Sequence, residues 1–209
     1  FKTYYLRRYV GADPANGDPL WYTDDTKTAT TNTYANATRG LVGSALPKAF
    51  GSLSNTLTYK QFTLSAQLYY NFGNYVYDTW GSYFTASGFG PSYGKVARVL
   101  EAWKKPGDIT MIPKYIWNGN KSFQSGSTMW YNQGDYIRLR DIQLGYNVPK
   151  SLISKYHLSN ANFYVRGTNL FTWVKDPNLP LDPEQGTAST SNLNVFIPKT
   201  VTVGVNLAF

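Results

Sequence analysis

The sequence predicts an all-β fold, a transmembrane antiparallel β-barrel with long loops on one side. Three observations lead there. Segments of about ten residues alternate between apolar and polar positions, the period that gives a strand one apolar face. The links between these segments are short and long in turn. Aromatic side chains gather at both ends of the apolar faces and leave an aliphatic band between them, as barrels do at the two water interfaces.

The last segment is the clearest. Val201, Val203, Val205, Leu207 and Phe209 share one parity, and Thr200, Thr202, Gly204, Asn206 and Ala208 the other. A strand of about ten residues crosses a bilayer when tilted. In 62–73, Phe62, Leu64, Ala66, Leu68, Tyr70 and Phe72 alternate with Thr63, Ser65, Gln67, Tyr69 and Asn71. Before it, Leu53, Leu57 and Tyr59 alternate with Ser52, Ser54, Thr56 and Thr58, with Asn55 as the exception. A two-residue loop at Lys60-Gln61 would pair Tyr59 with Phe62 on one face. In 130–148, Ile142, Leu144, Tyr146 and Val148 have the parity opposite to Ile137 and Leu139, which calls for a bulge near Arg140. Ala161, Phe163, Val165, Gly167 and Phe171 define a further strand over 161–172, and Phe1–Val10 a weaker one. Residues 149–157 read as a short helical turn.

Six strands result, near 1–10, 50–60, 62–73, 130–148, 161–172 and 199–209. Loops 11–49, 74–129 and 173–198 are long, whereas 60–61 and 149–160 are short. Outer-membrane barrels show this asymmetry, with short periplasmic turns and long outer loops. Tyr59, Phe62, Tyr146, Phe163 and Phe209 are expected at the periplasmic level, and Phe50, Tyr70, Phe72, Phe171 and Trp173 at the outer one. Within the longest loop, Val96, Val99, Leu100 and Trp103 recur at helical spacing, which predicts a helix over 93–105 that Pro106 ends. Its apolar stripe is expected to bury against the aromatics of the loop itself or against a partner.

Composition narrows the chemistry. The 209 residues include no Cys and one His, which removes disulfide scaffolds, thiolate metal sites and His-rich clusters. Aromatic content of 17% with 15% charged residues argues against disorder. Mean hydropathy is −0.37, and no run approaches the ~18 apolar residues of a membrane helix. The net charge of +8 is spread along the chain without a basic run, so no nucleic-acid partner is expected. The chain opens on Phe1 with no Met, the mark of a processed protein or a piece of a longer one. Asp182 and Glu184 read as a solvated turn, and Asp24-Asp25 as a hairpin tip. Gly88-Phe89-Gly90 lacks the third glycine of a phosphate loop. No catalytic constellation is found, so the chain is read as a non-enzyme with no cofactor and no metal. Trp80, Trp103 and Trp117 in the long loop could stack on sugar rings, touch a partner or pack on one another.

Several stretches resemble one family. GDYIRLRDIQLGYNVPKSL (134–152) is similar to the C-terminal region of SusC/RagA-type TonB-dependent outer-membrane transporters. So are VGADPANGDPLWY (10–22), LPKAFGSLSNTLTYKQFTLSAQLYYNFGNYVYD (46–78), FYVRGTNLFTW (163–173) with DPE (182–184), and PKTVTVGVNLAF (198–209). The departures are small: Gly51-Ser52 replaces an expected glycine pair, and Gln61 a turn glycine. The resemblance implies a barrel of about 22 strands closed by a plug domain, of which this chain would be the C-terminal portion. It implies a multi-pass location in the bacterial outer membrane, a SusD-like surface lipoprotein as lid, and TonB acting through the missing N-terminal part. Substrate would be an oligosaccharide or peptide. Thr202, Gly204, Leu207 and Phe209 resemble the terminal signal read by the barrel-assembly machinery. The competing reading from the residues alone is a soluble carbohydrate-binding β-domain that uses the loop aromatics.

Overall fold

The computed structural model describes residues 3–177, 179–184 and 196–209. Twelve strands are present among them: β1 (Thr3–Arg7), β2 (Tyr9–Ala12), β3 (Pro19–Tyr22), β4 (Thr30–Thr31), β5 (Arg39–Ser44) and β6 (Ala49–Tyr59). These are followed by β7 (Phe62–Phe72), β8 (Tyr75–Tyr77), β9 (Tyr131–Gln133), β10 (Tyr136–Asn147), β11 (Asn160–Val174) and β12 (Thr200–Ala208). No helix among the described residues is long and apolar enough to cross a membrane. The chain divides into two compact units.

One unit is an antiparallel five-stranded sheet in the order β12-β11-β10-β7-β6. Its register turns the sequence alternation into two chemically distinct faces. Tyr59, Phe62, Tyr146 and Phe163 pair in succession, forming an aromatic row across four strands that continues at Val205. The next row is Leu57, Leu64, Leu144, Val165 and Val203. Further along come Leu53, Leu68, Leu139 and Phe171, then Gly51, Tyr70, Ile137 and Trp173. Gly51 leaves room for the Tyr70 ring, since a Cβ there would sit 2.8 Å from its hydroxyl. β7 has eleven residues, roughly 35 Å when extended and roughly 27 Å tall at a tilt of about 40°, close to the apolar band of a membrane barrel.

The hairpin over Lys60-Gln61 pairs Tyr59 with Phe62, as its two patterns require, and Lys60 takes the left-handed conformation at φ 52°. The parity change in β10 is resolved by a bulge. Both neighbours skip Arg140, so Ile137 and Leu139 share the apolar face with Ile142 and Leu144. β11 bulges at the same level, spending Thr168 to Phe171 where β10 spends Asp141 to Leu139, with Asn169 at φ 55°. Between β10 and β11, Lys150–Ile153 and Ser154–Tyr156 form the expected helical turn, and left-handed His157 ends it.

The other unit holds β1–β5 with β8 and β9, paired as β1-β5, β2-β3-β4 and β8-β9. Its core is aromatic: Trp21, Phe123 and Trp130 are buried among Tyr9, Ala37 and Ala86. Tyr9 meets Trp21 edge-on at 5.9 Å, and Phe123 meets Trp130 at 5.2 Å. Full burial of such side chains contributes up to about 3 kcal/mol each.

Several expectations change. The strand expected over 1–10 breaks at Arg8, its halves pair in different sheets, and neither joins the five-stranded sheet. Residues 11–49, expected as a loop, contain β3, β4 and β5, because Pro/Gly punctuation hides short strands. The strand over 130–148 divides at Gly134-Asp135, where Asp135 turns aside to accept the Gly73 N–H at 2.5 Å. The helix over 93–105 shrinks to a 3₁₀ turn at Ala97–Glu101, and Leu100 is 74% exposed instead of buried. A single turn has no length over which to align its stripe with a core. Phe50 leaves the outer aromatic level, since it pairs with Asn71 and lies on the polar face. Phe209 lies four residues beyond the Phe163–Val205 row instead of in it. Part of the expected loop 173–198 falls outside the described residues.

Candidate functional site

Among the described residues the candidate site is a pair of surfaces. Among the described residues no group of three or more His, Cys, Asp or Glu could hold a metal ion. Asp182 is buried, not solvated, and its Oδ1 accepts the Glu184 N–H at 2.9 Å, which makes it a turn-former.

The first surface is the polar face of the five-stranded sheet. Register places Ser52, Ser54, Thr56 and Thr58 beside Tyr69, Gln67, Ser65 and Thr63, a wall of hydroxyls and amides. The bulge concentrates charge there. Arg138 is buried and its Nε donates to Thr172 Oγ1 at 3.0 Å. Arg140 lies over the Tyr69 ring at 4.3 Å, so it too points to the polar face. Both arginines therefore lie on the polar face at the bulge. Arg166 pairs with Asp141 across the β10–β11 ladder. Gln143, Tyr164, Arg166, Thr168, Thr202 and Asn206 line a concavity of about 330 Å³. Tyr164 lies across Gly204, where a Cβ would come within 2.5 Å of the ring. Such a wall offers hydrogen bonds and a cationic edge, but no nucleophile paired with a base.

The opposite face of the same sheet is apolar and uncovered. Leu53, Leu57, Val201 and Val203 are each more than 60% exposed, and Phe163, Phe171 and Trp173 are exposed as well. A soluble sandwich would bury these residues as its core.

The second surface belongs to the other unit. Trp80 stacks on Phe84 at 5.7 Å and tilts against Tyr83 at 5.4 Å. Trp103 lies over Gly17, itself at φ 76°, and its Nε1 donates to the Pro14 carbonyl at 3.2 Å. Both rings therefore brace the loops. Only Trp117 of the three is turned outward, at 67% exposure. The structure does not bring the three tryptophans into one site. Lys95 ties residues 83–95 together by donating to the carbonyls of Tyr83, Phe89 and Gly90, and burial lowers its pKa. Val10, Gly11, Leu20, Arg98, Ile109 and Met111 are among the residues lining a cleft of about 620 Å³. Within Ile109–Trp117 only Trp117 was expected as a contact, although Ile109, Met111, Ile112, Tyr115 and Ile116 beside it were a visible apolar signal.

Asp18 anchors this unit electrostatically. Its carboxylate meets Lys121 at 2.8 Å and Lys114 at 3.2 Å, and accepts from Asn32 Nδ2 at 3.1 Å. Burial alone would raise its pKa, but these three partners outweigh burial and hold it below the usual value.

Of the residues expected to signal assembly, Thr202 and Gly204 lie on the polar face opposite Arg166 and Tyr164, and Leu207 pairs with Ala161 on the apolar face. Phe209 is 89% exposed.

Known proteins resemble this chain in sequence and in fold. No family model matches the chain. TonB-dependent receptor P26 of Formosa agariphila is 27% identical over 93% of this chain, and receptor P3 of the same organism 25% over 83%. This chain spans less than a fifth of the length of either relative, at 19% and 17%. Among solved structures, the RagAB peptide transporter superposes with a TM-score of 0.82 at 26% identity, covering 99% of this chain and 23% of that one. The RagAB peptide importer in its "open-open" state gives 0.80 at 25% identity, with 99% and 22% covered. In sequence and in fold alike, the chain resembles the TonB-dependent outer-membrane transporters of the SusC/RagA type, as an all-β segment of their barrel.

Proposed function

We propose that this chain is the C-terminal part of the wall and outer loops of an outer-membrane importer driven through TonB. The observation that carries the reading is the two-faced sheet. Its apolar face is uncovered, banded by aromatics at two levels and tall enough for a hydrocarbon layer, while its other face is polar. Apolar side chains outward and hydrogen-bonding side chains inward are what a barrel wall needs in lipid. Each of the five strands crosses the outer membrane once, and the polar face lines the path.

The segment makes and breaks no bonds. TonB acts through the N-terminal part of the whole protein, and a SusD-like lipoprotein closes the outer mouth over an oligosaccharide or a peptide. RagAB being a peptide importer favours peptide. Residues 74–129 supply much of the contact with that lid, and the exposure of Trp117 supports it as the tryptophan that touches lid or substrate. Thr202, Gly204, Leu207 and Phe209 act before transport, as the strand end that the barrel-assembly machinery captures. A terminal strand with an open edge needs capture before closure.

The test is energised uptake. Cells relying on the full-length protein accumulate labelled peptide or oligosaccharide only while the inner-membrane proton gradient stands. Accumulation that survives collapse of the gradient would mark a passive pore and refute the reading.

A further inference from the structure

We infer that the carbonyls of Tyr83, Phe89 and Gly90 form a binding site for one primary ammonium group. Lys95 occupies that site from within the chain, and the inward course of residues 84–88 depends on its being occupied. The inference is independent of the importer reading, because it concerns the packing of one loop on itself.

The site begins with a detour of the chain. After the short helix Gly81–Phe84, residues Thr85, Ala86 and Ser87 are all buried, and the chain regains partial exposure at Phe89. Ala86 joins the aromatic core of its unit. Gly88 has φ 80° and lies so close to Ile116 that a Cβ would sit 1.8 Å from the Ile116 carbonyl oxygen. The detour thus reaches the core and has no slack at its tip. Its two ends must be held together at the mouth. Tyr83 O stands at the entry, and Phe89 O and Gly90 O stand at the exit.

Convergent carbonyl oxygens repel one another unless a donor lies between them. Lys95 Nζ is that donor, reaching Tyr83 O at 2.5 Å, Gly90 O at 3.3 Å and Phe89 O as well. An ammonium carries three N–H donors and no acceptor, so it matches three carbonyls in number and in polarity. Among the described residues no carboxylate pairs with Lys95, and the carbonyls alone compensate its charge. Rings wall the site. Tyr83 meets Phe89 at 5.5 Å and Tyr93 at 5.4 Å, and Phe84 meets Tyr93 at 6.4 Å. Hydrogen bonds from a charged donor are roughly twice as strong as neutral ones, and they strengthen away from water. A neutral bond crosses the same mouth, from the Val96 N–H to Phe84 O at 3.1 Å, and by this reasoning it is the weaker tie.

The experiment is hydrogen exchange of the full-length protein in detergent, read over residues 84–90 and, as a control for folding, over β7 and β10. Lys95→Ala removes three carbons and the nitrogen, the atoms of n-propylammonium. Exchange over 84–90 should rise roughly tenfold or more, as for a local opening, with β7 and β10 unchanged. Added n-propylammonium should restore protection saturably, and n-propanol should not. Lys95→Met keeps a stem of similar length without the charge, and it should open the segment as Lys95→Ala does. Should Lys95→Ala fail to fold, Lys95→Met, closer in volume, carries the comparison. Wild-type protection in Lys95→Met would assign the effect to the stem and overturn the ammonium site. Restoration by propanol as readily as by propylammonium would mean that a cavity had merely been filled, and would overturn it too. A Lys95→Ala protein that propylammonium leaves open would show that the three carbonyls bind no free ammonium.

Discussion

Single residues here do work that composition alone does not reveal. Asp18 is a turn residue in sequence, yet its buried carboxylate joins Lys114, Lys121 and Asn32. Its folded pKa lies below the unfolded value of about 3.9, so its contribution is complete above roughly pH 4 and is lost as pH falls through the folded value. Asp18→Asn should therefore remove that pH dependence and cost roughly 1–3 kcal/mol, the range for hydrogen bonds to charged groups. Limited proteolysis of the outer loops between pH 3 and 7 reads it. Wild-type protein should be cleaved faster only at the acid end, and the variant equally across the range. Arg140 makes a related point. It is the residue skipped by both neighbouring ladders, and its guanidinium rests on Tyr69 of the polar face instead of meeting the apolar one.

At the scale of elements, the β6–β7 hairpin and the bulge in β10 were legible because strict period two leaves one register that keeps both faces uniform. Phe50 was misread because a lone aromatic carries no parity of its own, and only pairing with Asn71 places it. The short strands β3 to β5 and the 3₁₀ turn at Ala97–Glu101 were hidden for another reason. Their form comes from an aromatic core whose members, Tyr9, Trp21, Phe123 and Trp130, stand far apart in sequence. The surfaces divide in the same way. The polar and apolar sheet faces can be read from the alternation, but the division of labour among Trp80, Trp103 and Trp117 depends on contacts across tens of residues. One prediction belongs to β7. Leu64 and Leu68 lie on the apolar face near mid-strand, so Leu64→Arg or Leu68→Arg should each lower the unfolding free energy of the full-length protein in lipid vesicles by about 2–4 kcal/mol. Thr63→Arg or Ser65→Arg, on the polar face, should cost much less. Equal losses on both faces would argue against a lipid-facing side.

For the whole molecule, folding and transport meet in the proposed barrel wall, with lipid on one side and a water-filled path on the other. Assembly is the first consequence. Deleting Phe209 should lower the outer-membrane level of the full-length protein several-fold, measured by quantitative immunoblotting of membrane fractions, whereas unchanged levels would reduce it to an ordinary last residue of the strand. The claim beneath everything else is the environment of the apolar face, and site-directed quenching tests it most directly. Fluorophores at positions 64 and 68 of the full-length protein in vesicles should be quenched by lipid-borne bromine or nitroxide and untouched by aqueous iodide. Labels at 63 and 65 should show the reverse. Labels at 64 and 68 shielded from both quenchers would mean that protein, not lipid, covers that face, and the barrel-wall account would be wrong.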